Sequence, residues 1–312
     1  MKAYFFKEKI GDLSYICTKF DNSSERVTIF HDDHGIFHQH WNIGQVKYEK
    51  KVGLLENTVC SSARKTKNDV GSIIKHVWRP GLCVNVPEAL EVDKIELSRA
   101  KRELKILIEK LHEILLFIEP DNICLKSYGH KIRELLILAC TECENSWISY
   151  LKLAGKTNSR FTTNDYVLLK DVLYLSEYIV QFSNFSFCFD FQPFKEWDAK
   201  APTKSLFWYD GYNNSKHDLT NCFHEANLEN CLYAIAANIV MFCVRYSPYE
   251  LIDKNDICSN LINEFFSIRL LDPDISSFYI PYIQSVHTAT GAFSGPLASR
   301  FEKEWKIESF NL

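Results

Sequence analysis

The chain has 312 residues, 46% hydrophobic and 24% charged, with 22 Phe and 15 Tyr giving an unusually aromatic composition. That length supports a large core in one domain or two. A formal net charge of −4 offers no global attraction to nucleic acid, so any RNA or DNA contact requires a local basic patch.

The N-terminus, Met1-Lys-Ala-Tyr-Phe-Phe-Lys-Glu-Lys9, has charges where a secretory signal needs an unbroken apolar stretch, so no such signal is expected. Leu13–Phe20, Arg26–His31 and Ile36–Ile43 are rich in β-branched and aromatic residues, separated by the turn-like Asp-Asn-Ser-Ser and Asp-Asp-His-Gly. They predict strands and a β-rich region over residues 1–90. Arg64 to Asp69 reads as a polar connector, and the break at Pro80-Gly81 places a boundary between there and Pro87. His31, His34, His38 and His40 cluster around a hairpin turn expected at Asp32–Gly35. His38 and His40 then share one strand face, with His31 a candidate for the position across from them. Imidazoles and a carboxylate can bind zinc, but the spacing matches no metal motif, and no metal or cofactor is expected.

Beyond the boundary, helices dominate. Leu104, Leu107, Ile108, Leu111, Ile114, Leu115 and Ile118 repeat at three-and-four spacing and stop before Pro120. A second helix is predicted from Ser127 to Leu153, with Ile132, Leu135, Leu136, Ala139, Cys140, Cys143, Trp147 and Tyr150 on its apolar face and Gly155 as its cap. Cys140 and Cys143 form a CxxC inside that pattern with no second pair nearby, which favours core packing over zinc or redox chemistry. The eleven cysteines lack framework spacing and fit free thiols in a reducing cytosol. Thr162-Thr-Asn-Asp165 predicts a capping box opening a third helix to about Phe182. Phe185, Phe187, Phe189 and Phe191 alternate with polar residues, as a strand or extended segment does. A helix over Trp208–Asp218 and a buried one over Leu228–Tyr246 follow. The apolar run Cys231 to Val244 contains Asn238 and is too short to span a bilayer. Ser247-Pro-Tyr-Glu250 starts another helix. The expected fold is α+β, mainly α: an antiparallel helical bundle over 91–270, preceded by the β-rich region, with an irregular segment 271–312 packed on the bundle.

Trp208-Tyr-Asp-Gly-Tyr-Asn-Asn-Ser-Lys-His217-Asp218 concentrates the polar chemistry. As a helix it sets Asn213 and His217 four apart on one face, with Tyr212 and Lys216 as a second such pair. Histidine is the natural acid/base near neutral pH. Equally, His217 ends a helix beside Asn214 and Asp218, and Trp208 and Tyr212 fit core aromatics. Together with Tyr128–Glu144, this segment resembles members of the HEPN superfamily of nucleotide-binding and ribonuclease helical bundles, over roughly residues 95–250. On that superfamily's Arg-Asn-x-x-x-His motif, Asn213 and His217 take the asparagine and histidine places, while Tyr212 stands where the arginine belongs. The resemblance implies a metal-independent ribonuclease, active as a homodimer with paired motifs lining a shared cleft. His217 would be acid/base, Asn213 would position the substrate or the helix, and Lys216 with Tyr212 would contact phosphate. Glu142 or Glu144 on the earlier helix would orient the histidine or lysine; Glu142 also suits a solvated or salt-bridged position.

The expected role is therefore a cytoplasmic protein that cleaves or binds RNA or a nucleotide, toxin-like or defensive, partnered by itself and by a protein antitoxin or defence partner, with no membrane association. The alternative is a catalytically silent bundle that dimerises or binds a protein.

Overall fold

The computed structural model describes residues 3–10, 13–20, 26–31, 37–40, 64–82, 86–182, 188–252, 256–280 and 305–312, those before residue 65 by backbone alone. The described chain is mainly helical with small sheets. It divides into two compact units, one of Met1–Glu91 with Asp272–Glu308, the other of Val92–Leu271 with Ser309–Leu312.

The first unit holds a five-stranded antiparallel sheet ordered β4-β3-β2-β1-β5, from β1 (Ala3–Ile10), β2 (Leu13–Phe20), β3 (Arg26–His31), β4 (Phe37–His40) and β5 (Arg64–Lys65). Register pairs His31 with Phe37, but His38 with Phe30 and His40 with Thr28. In the backbone register His31 is therefore paired with neither His38 nor His40. His34 and the Asp32–Gly35 turn lie outside the described residues, as do the side chains of the other three histidines.

Of the segment expected to pack on the bundle, residues 272–280 and 305–308 belong instead to this unit, while Ser309–Leu312 joins the helical unit, with Phe310 edge-on to Tyr150. β10 (Lys306–Glu308) pairs in parallel with β6 (Ser72–Ile74). Tyr279 is fully buried. Its N–H donates to Pro80 O at 2.9 Å, and its hydroxyl donates to Val77 O at 2.7 Å. Gly81 has φ +99°, and a Cβ there would lie 1.9 Å from Tyr279 O. The Pro-Gly break is therefore a close backbone crossing inside the unit, and the division falls later, after Glu91.

The second unit is built on four helices: α1 (Lys94–Leu115), α2 (His130–Leu153), α3 (Phe207–His217) and α4 (Leu228–Tyr246). Asp93 caps α1 by accepting from Ile95 N–H. Gly155, at φ +79°, closes α2 with Gly155 N–H to Lys152 O and Lys156 N–H to Leu151 O, the double bond of a left-handed helix stop. α1 and α2 run antiparallel, with Lys110 pairing Glu134 near one end and Glu96 acting on Tyr150 near the other. α2 and α4 run parallel: Leu228 N–H donates to Ser127 O, Asn238 to Ala139 O, and Arg245 lies over the Tyr150 ring. α4 is the core helix, its apolar length 83% buried within the protein. A short helix, α5 (Ile257–Phe265), is tied to α1 through Lys101, which bonds Asp256 at 2.8 Å and Glu250 at 2.9 Å.

The predicted third helix is corrected. Thr162 does open a helix, its N–H bonding the Asp165 carboxylate at 2.8 Å, but two single turns, Thr163–Tyr166 and Leu169–Val172, replace the long element. Tyr174 sits at φ +55°, a left-handed stop that turns the chain into β7 (Tyr178–Phe182). β7 is the central strand between β8 (Phe189–Phe191) and β9 (Phe266–Leu270). Tyr178-Ile-Val-Gln-Phe favours a strand, and the pairing with distant β9 overrides the helical reading of the same residues. Phe189 and Phe191 belong to β8; Phe185 and Phe187 lie outside the described residues.

Candidate functional site

α3 is held by its buried faces. Trp208, fully buried, donates from its indole to Pro193 O at 3.0 Å. Trp147 of α2 packs on both Trp208 and Tyr209. Gly211 brings α3 hard against the start of α4. A Cβ at this position would lie 2.4 Å from Asn230 Nδ2 and 3.2 Å from Glu225 O. Asn230, only 7% exposed, spends that amide on Glu225 O at 2.7 Å, and its backbone N–H bonds the Asn227 cap of α4. α3 runs antiparallel to α2, with Tyr209 bonded to Glu144 and Ser215 O accepting from Arg133 Nε.

One stripe of α3 carries Tyr209, Tyr212 and Lys216 toward α2. The Tyr209 hydroxyl donates to Glu144 at 2.8 Å; burial, and then the Glu144 charge, push that phenol well above its ordinary range. Lys216 Nζ donates to the Tyr212 hydroxyl at 2.7 Å and stands 4.9 Å from the centre of its ring. This hydrogen bond, outweighing burial, raises the Lys216 ammonium above its usual value, so it is fully charged at neutral pH. Tyr212 is 1% exposed. The expected phosphate contact by Tyr212 is therefore corrected: the ring is core, and its hydroxyl orients the lysine.

A second stripe faces outward. Asp210, Asn213 and His217 are spaced three and four apart, within one side of the helix. Asn213 and Asp210 are half-buried and His217 is exposed. None of these three side chains has a hydrogen-bond, ion-pair or ring partner among the described residues. The neighbouring polar groups are all engaged. Asn214 donates to Glu225 at 2.9 Å, and Ser215 Oγ donates to Tyr212 O at 3.1 Å. Asp218 caps the next turn by accepting from the Asn221 backbone and amide, which hold its carboxyl below the ordinary range. Asn214 and Asp218 thus shape the helix end.

The two candidate orienting carboxylates part company. Glu144 joins the Tyr209 stripe, whereas Glu142, two residues earlier and so on another side of α2, accepts from Asn145 and lines a cavity toward α1 and α4. Glu142 is accordingly removed from the α3 face. Arg133 was missed. Its Nε donates to Ser215 O at 3.2 Å, one residue from Lys216, leaving a guanidinium at the last turn of α3. The sequence signal existed, since Arg133 lies within the resembling segment Tyr128–Glu144, but only the fold brings it to this helix end. Cys140 and Cys143 are fully buried, and burial pushes both thiols well up, so neither is a nucleophile or ready ligand.

Within the last turns of α3 the outward stripe carries an accessible imidazole, a free amide and the Asp210 carboxylate, while Lys216 lies on the stripe toward α2 and Arg133 is bonded at the same helix end. Comparison with protein families, curated proteins and solved structures returned no match.

Proposed function

We propose that the chain is an RNA-acting helical protein of the HEPN type, with the outward face of α3 as its working surface. The observation that supports this is the contrast along α3: Asn213 and His217 keep their polar groups free, while Tyr209, Asn214, Ser215 and Lys216 are bonded within the protein. Freedom of that kind suits groups reserved for a ligand.

In this reading His217 takes the proton from a ribose 2′-hydroxyl, and that oxygen attacks the adjacent phosphorus. The 5′-oxygen leaves with a proton, from the imidazolium or from a second copy's histidine in a homodimer, and a 2′,3′-cyclic phosphate remains. Lys216, preset by Tyr212, and Arg133, preset by Ser215 O, offset the growing phosphorane charge. The proton transfers and charge stabilisation come from side chains, so the cleavage is metal-independent.

The experiment is cleavage of single-stranded RNA by the full chain in excess chelator. His217→Ala should abolish cyclic-phosphate product without changing thermal stability. Lys216→Ala should lower the rate about a hundredfold, since removing one donor aimed at developing charge costs about 3 kcal/mol. A second reading is favoured by the burial of Tyr212, which leaves no arginine at the motif's own place: a silent module whose α3 face binds a protein partner. Absence of RNA cleavage would select it, and cleavage that survives His217→Ala would remove His217 from the proposed chemistry.

A further inference from the structure

Beside the end of α3 stands a group of rings that the proposed chemistry leaves unused. Tyr128 lies just before α2, His130 is the first residue of α2, and Phe223 follows α3 after the single turn Leu219–Cys222. Phe223 is the central ring. Tyr128 meets it edge-on, with centroids 5.4 Å apart and planes at 82°, and His130 lies tilted against it at 5.0 Å and 37°. Backbone bonds hold all three segments: Tyr128 bridges to Asn227, Leu228 N–H donates to Ser127 O, and Ala226 N–H donates to Phe223 O.

These rings are not core. Tyr128 is 53% exposed, against 5% for Tyr209 and 1% for Tyr212. His130 is exposed and Phe223 is half-buried. An edge-to-face pair uses only the edge of one ring, so flat aromatic faces are left for another planar group.

Fixed positive charge stands next to them. Arg133 follows His130 by three residues, on the same side of α2 and one turn along, with its Nε on Ser215 O at 3.2 Å. Lys216 is the next residue of α3, held by the Tyr212 hydroxyl. Of the nearby acids, Glu229 is neutralised by Lys126, while Glu225 and Asp218 are turned to Asn214 and Asn221.

We propose that Tyr128, His130 and Phe223 are a stacking platform for the bases of a single-stranded RNA whose phosphates meet Arg133 and Lys216. The proposal rests on the RNA-acting reading above and deepens it by naming the form of the substrate. Rings that stack on bases beside cations that follow the backbone are what an unpaired strand requires. In a duplex both faces of each base are covered by its neighbours, so exposed side-chain rings find no base face there. A peptide would use the same rings as apolar area only, and leucine would serve it as well as tyrosine.

The test is binding of a short 2′-O-methyl RNA to the full chain, followed by fluorescence anisotropy. This strand has no free 2′-hydroxyl to attack its phosphates, so binding is read whether or not the chain cleaves RNA. One base is 2-aminopurine, whose emission falls on stacking. The single strand should bind at least about tenfold more tightly than the duplex of the same sequence, with a fall in emission. Tyr128→Leu should weaken binding about fivefold or more and reduce that fall, whereas Tyr128→Phe, which keeps the ring, should retain both. Tyr128 is half exposed, so both variants should melt as the parent does; Phe223→Leu provides a second loss of the platform. Duplex bound as tightly as single strand, or affinity and emission unchanged in Tyr128→Leu, would overturn the proposal. RNA cleavage with KM unchanged in Tyr128→Leu would overturn the platform and leave His217 in its role. Ring-dependent binding without cleavage would uphold the platform and remove only the catalysis.

Discussion

Replacing Gly211 with Ala sets two effects of opposite sign against each other. Helix propensity favours Ala over Gly by about 1 kcal/mol in a helix interior, and Gly211 is the fifth residue of the eleven-residue α3. Against this, the new Cβ would lie 2.4 Å from Asn230 Nδ2 and 3.2 Å from Glu225 O. Either Asn230 gives up its 2.7 Å bond to Glu225 O, or α3 moves off α4. The first route leaves a donor unpaired on a residue 7% exposed, at about 1–3 kcal/mol. The second is overpacking, also about 1–3 kcal/mol, with Trp208 and Tyr209 losing contact with Trp147. Crowding outweighs propensity, and the net expectation is a loss of up to about 2 kcal/mol, or up to several degrees in melting temperature for a unit of this size. Calorimetry of Gly211→Ala, Asn230→Ala and the double variant checks both sign and cause. The double variant should be less destabilised than the sum of the singles, because Asn230→Ala removes the nearest atom. A melting temperature raised by Gly211→Ala would mean that propensity governs and that the close approach does not. RNA cleavage should fall with stability, since α3 positions His217 and a shift near 1 Å costs about a hundredfold in rate.

Tyr212→Arg, which would complete the family motif, should lower stability and leave RNA cleavage no faster, because the guanidinium would enter a position that is 1% exposed; a more active, equally stable variant would refute the burial argument. Tyr212→Phe removes the acceptor that raises Lys216, so the lysine should titrate at lower pH when followed by NMR, with the fold retained. For the α1–α5 tie, burial pushes the Asp256 carboxyl up, but hydrogen bonds from Lys101 and Ser259 outweigh it and hold it below the ordinary value. A depressed carboxyl stabilises above its unfolded value, and the contribution is lost as pH falls through the folded one. Asp256→Asn should therefore cost stability at pH 7 but little at the lowest pH, where the parent carboxyl is protonated too. A constant stability difference between pH 7 and about pH 2 would contradict the pairing.

How much was legible follows from which interactions are local. The three-and-four spacing of Leu104, Leu107, Ile108 and Leu111 marks a buried stripe whatever lies opposite, and these residues are the interior of α1. Gly155 and the Thr162–Asp165 pair act within a few residues of themselves, and each sits where its local chemistry puts it. Tyr178–Phe182 was misread because its strand character comes from β9, more than eighty residues away in sequence. The same holds after Asp272, where Tyr279 and β10 join residues 71–81 through backbone bonds that no nearby pattern announces.

The site divides along the same line. Helical spacing alone puts Asn213 and His217 on one face, and it equally pairs Tyr212 with Lys216. What spacing does not supply is which stripe faces the protein. Trp147 draws the Tyr209 side of α3 inward, and that single packing choice turns Tyr212 from a surface group into a buried acceptor. It also gives Lys216 a fixed partner and leaves the outward stripe to Asp210, Asn213 and His217. An arginine at position 212 would have to enter this aromatic layer. Arg133 reaches the same helix end from α2, with its stem on the protein and its Nε on Ser215 O. A cation supplied across a helix pair can replace one supplied within a motif, because a phosphate responds to where positive charge stands in space. Arg133→Ala thus bears directly on the proposed chemistry. If Arg133 takes the missing motif residue's part, its removal should slow RNA cleavage about as much as Lys216→Ala, with KM changing less than kcat. A rate unchanged by Arg133→Ala would return the guanidinium to a purely structural role on Ser215.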